Sequence, residues 1–157
     1  MSKRILMFPR VLVALGASLL ALAGARADTP GQTTFNTVCT ACHGQGGVGI
    51  PGLAPALAGA LGPQLASPQG KTYLASVLLG GLSGSIESQG KKFNSAMPNL
   101  GLSDQQVVDV LAHVVGELNP APQGWSVTVE EVAAVRATQP TPAKTHALRK
   151  AMLAPAK

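Results

Sequence analysis

Five consecutive residues carry the strongest chemical signal in the sequence: Cys39-Thr40-Ala41-Cys42-His43. Two residues between the thiols set them apart by the distance between the two vinyl groups of a haem. The imidazole that follows then falls under the iron. In an exported chain, Cys-x-x-Cys-His therefore reads as a covalent haem c attachment site. Other chemistries open to a cysteine pair fit less well. A thioredoxin-type dithiol needs a βαβ setting that the surrounding pattern lacks. A structural zinc site needs four ligands, usually with more than two thiolates. A plain disulfide leaves His43 unexplained.

A haem iron has a second axial position, and few residues can fill it. Outside residues 1–27 the methionines are Met97 and Met152, and the other histidines are His113 and His146. Met97 lies in Asn94-Ser-Ala-Met-Pro-Asn-Leu, a stretch without helical pattern. Pro98 stiffens that stretch by fixing its own φ, and a soft thioether suits iron. His113 shares a helical stripe with Asp109 and Glu117, four residues apart on either side, and is expected to face water. Met152 and His146 fall near the C-terminus, where core or surface roles are expected.

The elements that must position these groups read as mostly helical. The first helix is expected over Thr33 to His43, followed by a Gly/Pro-rich loop from Gly44 to Gly62. A second helix is expected from Lys71 to Leu79. Ser85 to Asn94 has hairpin character around Gln89-Gly90. Ser103-Asp104-Gln105-Gln106 is a capping box opening the best helix of the chain. Pro120-Ala-Pro-Gln-Gly124 is a breaker, and two short helices are expected beyond it, Val129 to Ala137 and Pro142 to Leu153.

Composition narrows the class. The chain has 157 residues, enough for one domain with an appendage. It is 46% hydrophobic and only 12% charged, which excludes an intrinsically disordered chain. Five aromatic residues (Phe8, Phe35, Tyr73, Phe93, Trp125) leave an Ala/Val/Leu core poor in large rings, and a buried porphyrin would supply the missing apolar plate. Residues 1–27 read as a signal peptide: a basic start, an apolar run from Val11 to Ala25, and small residues around a cut before Asp28. The apolar run is about 15 residues, against about 20 for a membrane span. Without Lys3, Arg4, Arg10 and Arg26, eight basic residues face seven acidic ones. The formal +5 is thus a property of the export segment, and no nucleic-acid footprint remains. Residues 28–120 carry a net −2 and residues 121–157 a net +3, so an acidic domain precedes a basic C-terminal extension.

Four features together resemble the class I monohaem cytochromes c of the bacterial periplasm. They are the Cys39-to-His43 motif, the following Gly44-Gln-Gly-Gly-Val-Gly, the segment Pro55-Ala-Leu-Ala-Gly59, and Met97-Pro98 ahead of a capped helix. The resemblance covers about residues 32–119. It implies an all-α cytochrome c fold around one covalent haem, with a small hairpin-like segment. It also implies thioethers at Cys39 and Cys42, His43 as proximal ligand, Met97 as distal ligand, and a hydrogen bond from the His43 ring to the Pro55 carbonyl. It says little about residues 121–157.

The function expected on this reading is one-electron transfer in the periplasm. A His/Met pair raises the haem potential, and with both axial positions filled no site remains for a substrate. Partners would be a redox donor and acceptor, such as a dehydrogenase, reductase or terminal oxidase, met over an exposed haem edge. A second reading makes the chain a dedicated electron-transfer subunit of an oxidoreductase, gripped through the extension with Trp125 as anchor. A third, a haem catalyst or gas sensor, requires Met97 to be off the iron or easily displaced.

Overall fold

The computed structural model describes residues 27–154, so the segment read as a signal peptide lies outside the described residues except for Ala27. The first helix begins three residues earlier than the apolar pattern suggests. Thr29 caps it, its hydroxyl accepting from the Gln32 amide at 3.1 Å, and Pro30 occupies the first turn. Proline suits that position because its missing N–H would be unpaired there anyway. The helix runs as α1 (Pro30–Thr34), one widened π turn (Phe35–Cys39) and α2 (Thr40–His43). Loop and short 3₁₀ segments lead to α3 (Gly62–Ala66), which the sequence pattern does not show, and to α4 (Gly70–Gly80).

A two-residue turn then joins β1 (Ile86–Ser88) to β2 (Lys91–Phe93), antiparallel with Ile86 opposite Phe93. Gln89 and Gly90 both have positive φ, 49° and 72°, as a type I′ hairpin turn requires. Helix α5 (Asp104–Gly116) opens on the expected capping box. The Gln106 amide donates to Ser103 Oγ at 3.2 Å, and the Ser103 amide to Gln106 Oε1 at 2.9 Å. Helices α6 (Val129–Ala137) and α7 (Pro142–Met152) follow. Helices dominate, and the small hairpin is the only sheet among the described residues.

The core forms where α1 crosses α5. A side chain at Gly31 would run into the Asp109 carbonyl, so glycine is what lets the two helices meet. The crossing buries Phe35 against Val107, Val110, Leu111 and Val114. It also corrects the expectation for His113. Because α1 lies over the polar stripe of α5, the His113 ring is half-buried and stacks on Phe35, with centroids 5.2 Å apart.

The extension adds to this same core. Val127, Val132 and Val135 are buried in it, with Trp125 and Met152 packed alongside. Trp125 is thus engaged, partly buried, by its own chain. Both ion pairs among the described residues join the extension to the preceding part: Lys71 to Glu131 at 3.1 Å, and Arg136 to Asp104 at 2.7 Å. The His146 ring lies 2.9 Å from the Ser85 carbonyl. Each pair joins a charged side chain of the extension to an opposite charge of the preceding part.

Candidate functional site

The widened turn sits immediately before the cysteine motif. The Thr40 amide reaches back to the Phe35 carbonyl, five residues away, a register found mostly at functional sites. Cys39 and His43, four residues apart, are both buried at 7% exposure, while Cys42 is exposed. One side of the motif thus faces inward and Cys42 stays at the rim. The two sulfurs are not bonded to each other. Burial, and next the neighbouring Cys42, push the Cys39 thiol up to about 11, so as a free group it stays protonated at neutral pH.

His43 is held by its second nitrogen. Nδ1 lies 2.8 Å from the Pro55 carbonyl oxygen, which can only accept. The proton is therefore assigned to Nδ1, and Nε2 keeps its lone pair. Such a bond fixes ring orientation and raises ligand basicity. Burial lowers the His43 pKa, and the Pro55 bond partly opposes this. The net effect favours a neutral ring, the form that binds metal. The backbone supports the arrangement too, because the Gly49 amide donates to the His43 carbonyl at 2.7 Å.

Met97 is fixed through its backbone. It forms an isolated antiparallel pair with Leu82, its amide donating to Leu82 O at 2.8 Å and its carbonyl accepting from the Leu82 amide at 2.9 Å. Leu82 follows the end of α4, so the rigid helix places the Met97 segment. This contact spans fifteen residues and leaves no local trace in the sequence.

Cys39, Cys42, His43, Pro55 and Met97 all line one cleft. Its floor and walls come from α4 (Tyr73, Leu74, Val77, Leu78) and α5 (Val110, Leu111, Val114), with Leu100 and Phe93. Counted together with the open solvent at its mouth, the cleft spans about 1380 Å³ of space not filled by protein. His113, His146 and Met152 do not line it. Polar residues that sequence reasoning did not single out as site residues do so, among them Gln64, Tyr73, Ser88 and Arg149.

The model of the cytochrome c domain matches residues 29–116. The chain belongs to the cytochrome c family. Two curated relatives are both named cytochrome c-552 and both come from Thermus thermophilus, the second from a designated strain of that species. Each is 40% identical over 116 residues, or 71% of this chain, covering 88% of the first and 78% of the second. The cofactor of this cytochrome is one covalently attached haem c, on the Cys39 and Cys42 spacing. The residues present fit it. Two thiols and a neutral imidazole stand together at the mouth of a large apolar cleft, and no cluster of three or more His, Cys, Asp or Glu residues among the described ones offers a rival metal site. The cytochrome is an electron-carrier haem protein with redox partners.

Proposed function

We propose that this cytochrome is a periplasmic one-electron carrier in which His43 and Met97 are the axial ligands of haem c, held by thioethers at Cys39 and Cys42. The observation that carries the reading is the convergence of His43 and Met97 on one apolar cleft, each fixed by its own hydrogen bonds. When bound, the haem supplies a single reversible electron and no group transfer. The chain's work is positional. Pro55 orients the His43 ring, Leu82 pins Met97, and the apolar lining from α4 and α5 excludes water. A thioether ligand and a dry pocket both favour the ferrous state and raise the potential.

Electron exchange is expected beside the exposed Cys42. Leu53 lines the cleft and is 43% exposed, and Val48 is 69% exposed. Two exposed apolar side chains beside the attachment motif suit the small, transient contacts of redox encounters. The residues 1–27 supply the export signal on this reading. Among the described residues no helix is long and apolar enough to cross a membrane.

The test is access to the iron. The native ferrous protein should bind carbon monoxide slowly or not at all, since Met97 fills the sixth position. Fast, tight binding would replace the carrier reading with that of a catalyst or gas sensor. Trp125, the anchor offered for the subunit reading, is partly buried against the chain's own core.

A further inference from the structure

Thr40 divides its two hydrogen-bond donors between two carbonyls. In an unbroken α-helix its amide would donate to Asn36 O, four residues back. Here the amide passes over that carbonyl and donates to Phe35 O, five residues back. The Thr40 hydroxyl takes the place the amide gives up, with Oγ1 2.8 Å from Asn36 O. Threonine hydroxyls reach back four residues in ordinary helices too, where they compete with the backbone. This one differs because the amide of the same residue is bonded elsewhere. The wide step is confined to one turn, since the Gly44 amide donates to Thr40 O at 2.9 Å, the usual four residues.

The extra residue rotates everything after it. Each residue of an α-helix advances about 100° around the axis. A turn with one residue more therefore sets the following side chains back by about that angle. Counted from the buried Phe35, Cys39 and His43 then take the angular places of the third and seventh residues beyond it, both on the core face, and both are buried. Cys42 takes the place of the sixth, off that face, and is exposed. In an unbroken helix the inward seventh place would fall to Cys42 itself, and His43 would stand about 80° off the face. The observed burial is that of the wide register. From it, His43 Nδ1 meets the Pro55 carbonyl at 2.8 Å.

We infer that Thr40 is a positioning residue of the haem site: by taking over Asn36 O, its hydroxyl holds the five-residue register that turns His43 inward and leaves Cys42 at the rim. Thr40 does not line the cleft and acts through His43. Of the two residues between the thiols, neither of which bonds to the haem, one thus has a task of its own. The role rests on the proposed ligation by His43; the register does not.

The test reads the register in the ¹³C,¹⁵N-labelled ferrous holoprotein. It is kept under carbon monoxide, so that the iron is diamagnetic whether or not Met97 binds it. Scalar coupling across hydrogen bonds should join the Thr40 amide nitrogen to the Phe35 carbonyl carbon. Thr40→Val and Thr40→Ala should move that coupling to the Asn36 carbonyl, and Thr40→Ser should keep it on Phe35. The second readout is the angle of the His43 ring, seen in the spread of the haem methyl shifts of the ferric protein. It should change in the two variants without a hydroxyl and match wild type in Thr40→Ser. A wild-type coupling to Asn36 instead of Phe35 overturns the inference. So does a Thr40→Val or Thr40→Ala protein that keeps the Phe35 coupling or the wild-type methyl shifts. Failure of the ligation itself is read separately and overturns the positioning role with it: the wild-type His43 ring protons would then lack the upfield shift that an axial imidazole takes from the haem ring current.

Discussion

Gly81 stands directly behind the backbone of Met97. A Cβ built on Gly81 would run into the Met97 carbonyl oxygen and lie 3.0 Å from the Pro98 carbonyl carbon. The residue also has φ +78°, a conformation that side chains resist. Helix α4 ends here, and the next residue, Leu82, makes both hydrogen bonds to Met97. The position of the proposed distal ligand therefore depends on a glycine sixteen residues away.

Gly81→Ala should push the Met97 segment out of register. The expected cost is about 1–3 kcal/mol from the backbone conformation alone, with further loss from the clash. The measurement is the strength of the iron–thioether absorption in the holoprotein. It should weaken, or become temperature-sensitive, while the haem stays attached through Cys39 and Cys42. A variant with unchanged absorption and unfolding midpoint would show that the two segments can separate without consequence.

Asn119 performs a similar service on the other side of the site. It is buried, accepts from the Leu61 amide at 3.1 Å, and donates to Leu57 O at 3.0 Å and Val114 O at 2.8 Å. These bonds tie the loop after Pro55 to the end of α5. Asn119→Ala strands buried backbone groups, each worth about 1–3 kcal/mol. Denaturant unfolding of the holoprotein should show a loss of about 2–4 kcal/mol. A loss under about 0.5 kcal/mol, within the range of neutral surface changes, would mean that water or a shifted loop satisfies those groups.

Acid should loosen α6 before it unfolds the rest. Glu131 accepts from the Thr128 amide at 2.8 Å and pairs with Lys71. These two bonds, in that order, hold its carboxyl below the ordinary value of 4.5. A lowered folded-state pKa means that the contribution is fully present above the unfolded value. It is lost as pH falls through the folded one. The window therefore opens below the ordinary carboxylate range. Amide protection in α6, taken relative to the intrinsic exchange rate at each pH, should fall in wild type as the pH is lowered through this window, and Glu131→Gln should flatten that dependence. An identical acid response in the variant would remove Glu131 from the account.

Much of the site is legible in the sequence because it is local. The Cys39–His43 motif, the Gln89-Gly90 turn and the Ser103–Gln106 box each fit within a few residues, and all three lie where the pattern puts them. The start of the first helix is legible too, in Thr29-Pro30, but the signal is a cap and not an apolar period. What escapes is non-local. The π turn before Cys39 is a register shift with no compositional mark. The Leu82–Met97 pair and the Arg149–Tyr73 contact join residues 15 and 76 apart. The polar stripe of α5, taken by itself, points His113 at water, whereas Gly31 lets a second helix lie across it. The extension looks separable by charge, yet its charges are the complement of those it packs against.

The most direct test of the central claim is the absorption spectrum of the ferric holoprotein, matured with haem in a periplasm, for wild type and Met97→Ala. Wild type should show the weak far-red band of a ferric iron–thioether bond. Met97→Ala should lose it, shift toward high spin and bind carbon monoxide readily when reduced, with the haem still covalently held. A wild-type protein without that band, or a Met97→Ala protein that keeps it, would contradict Met97 as the sixth ligand and with it the carrier function built on that ligation.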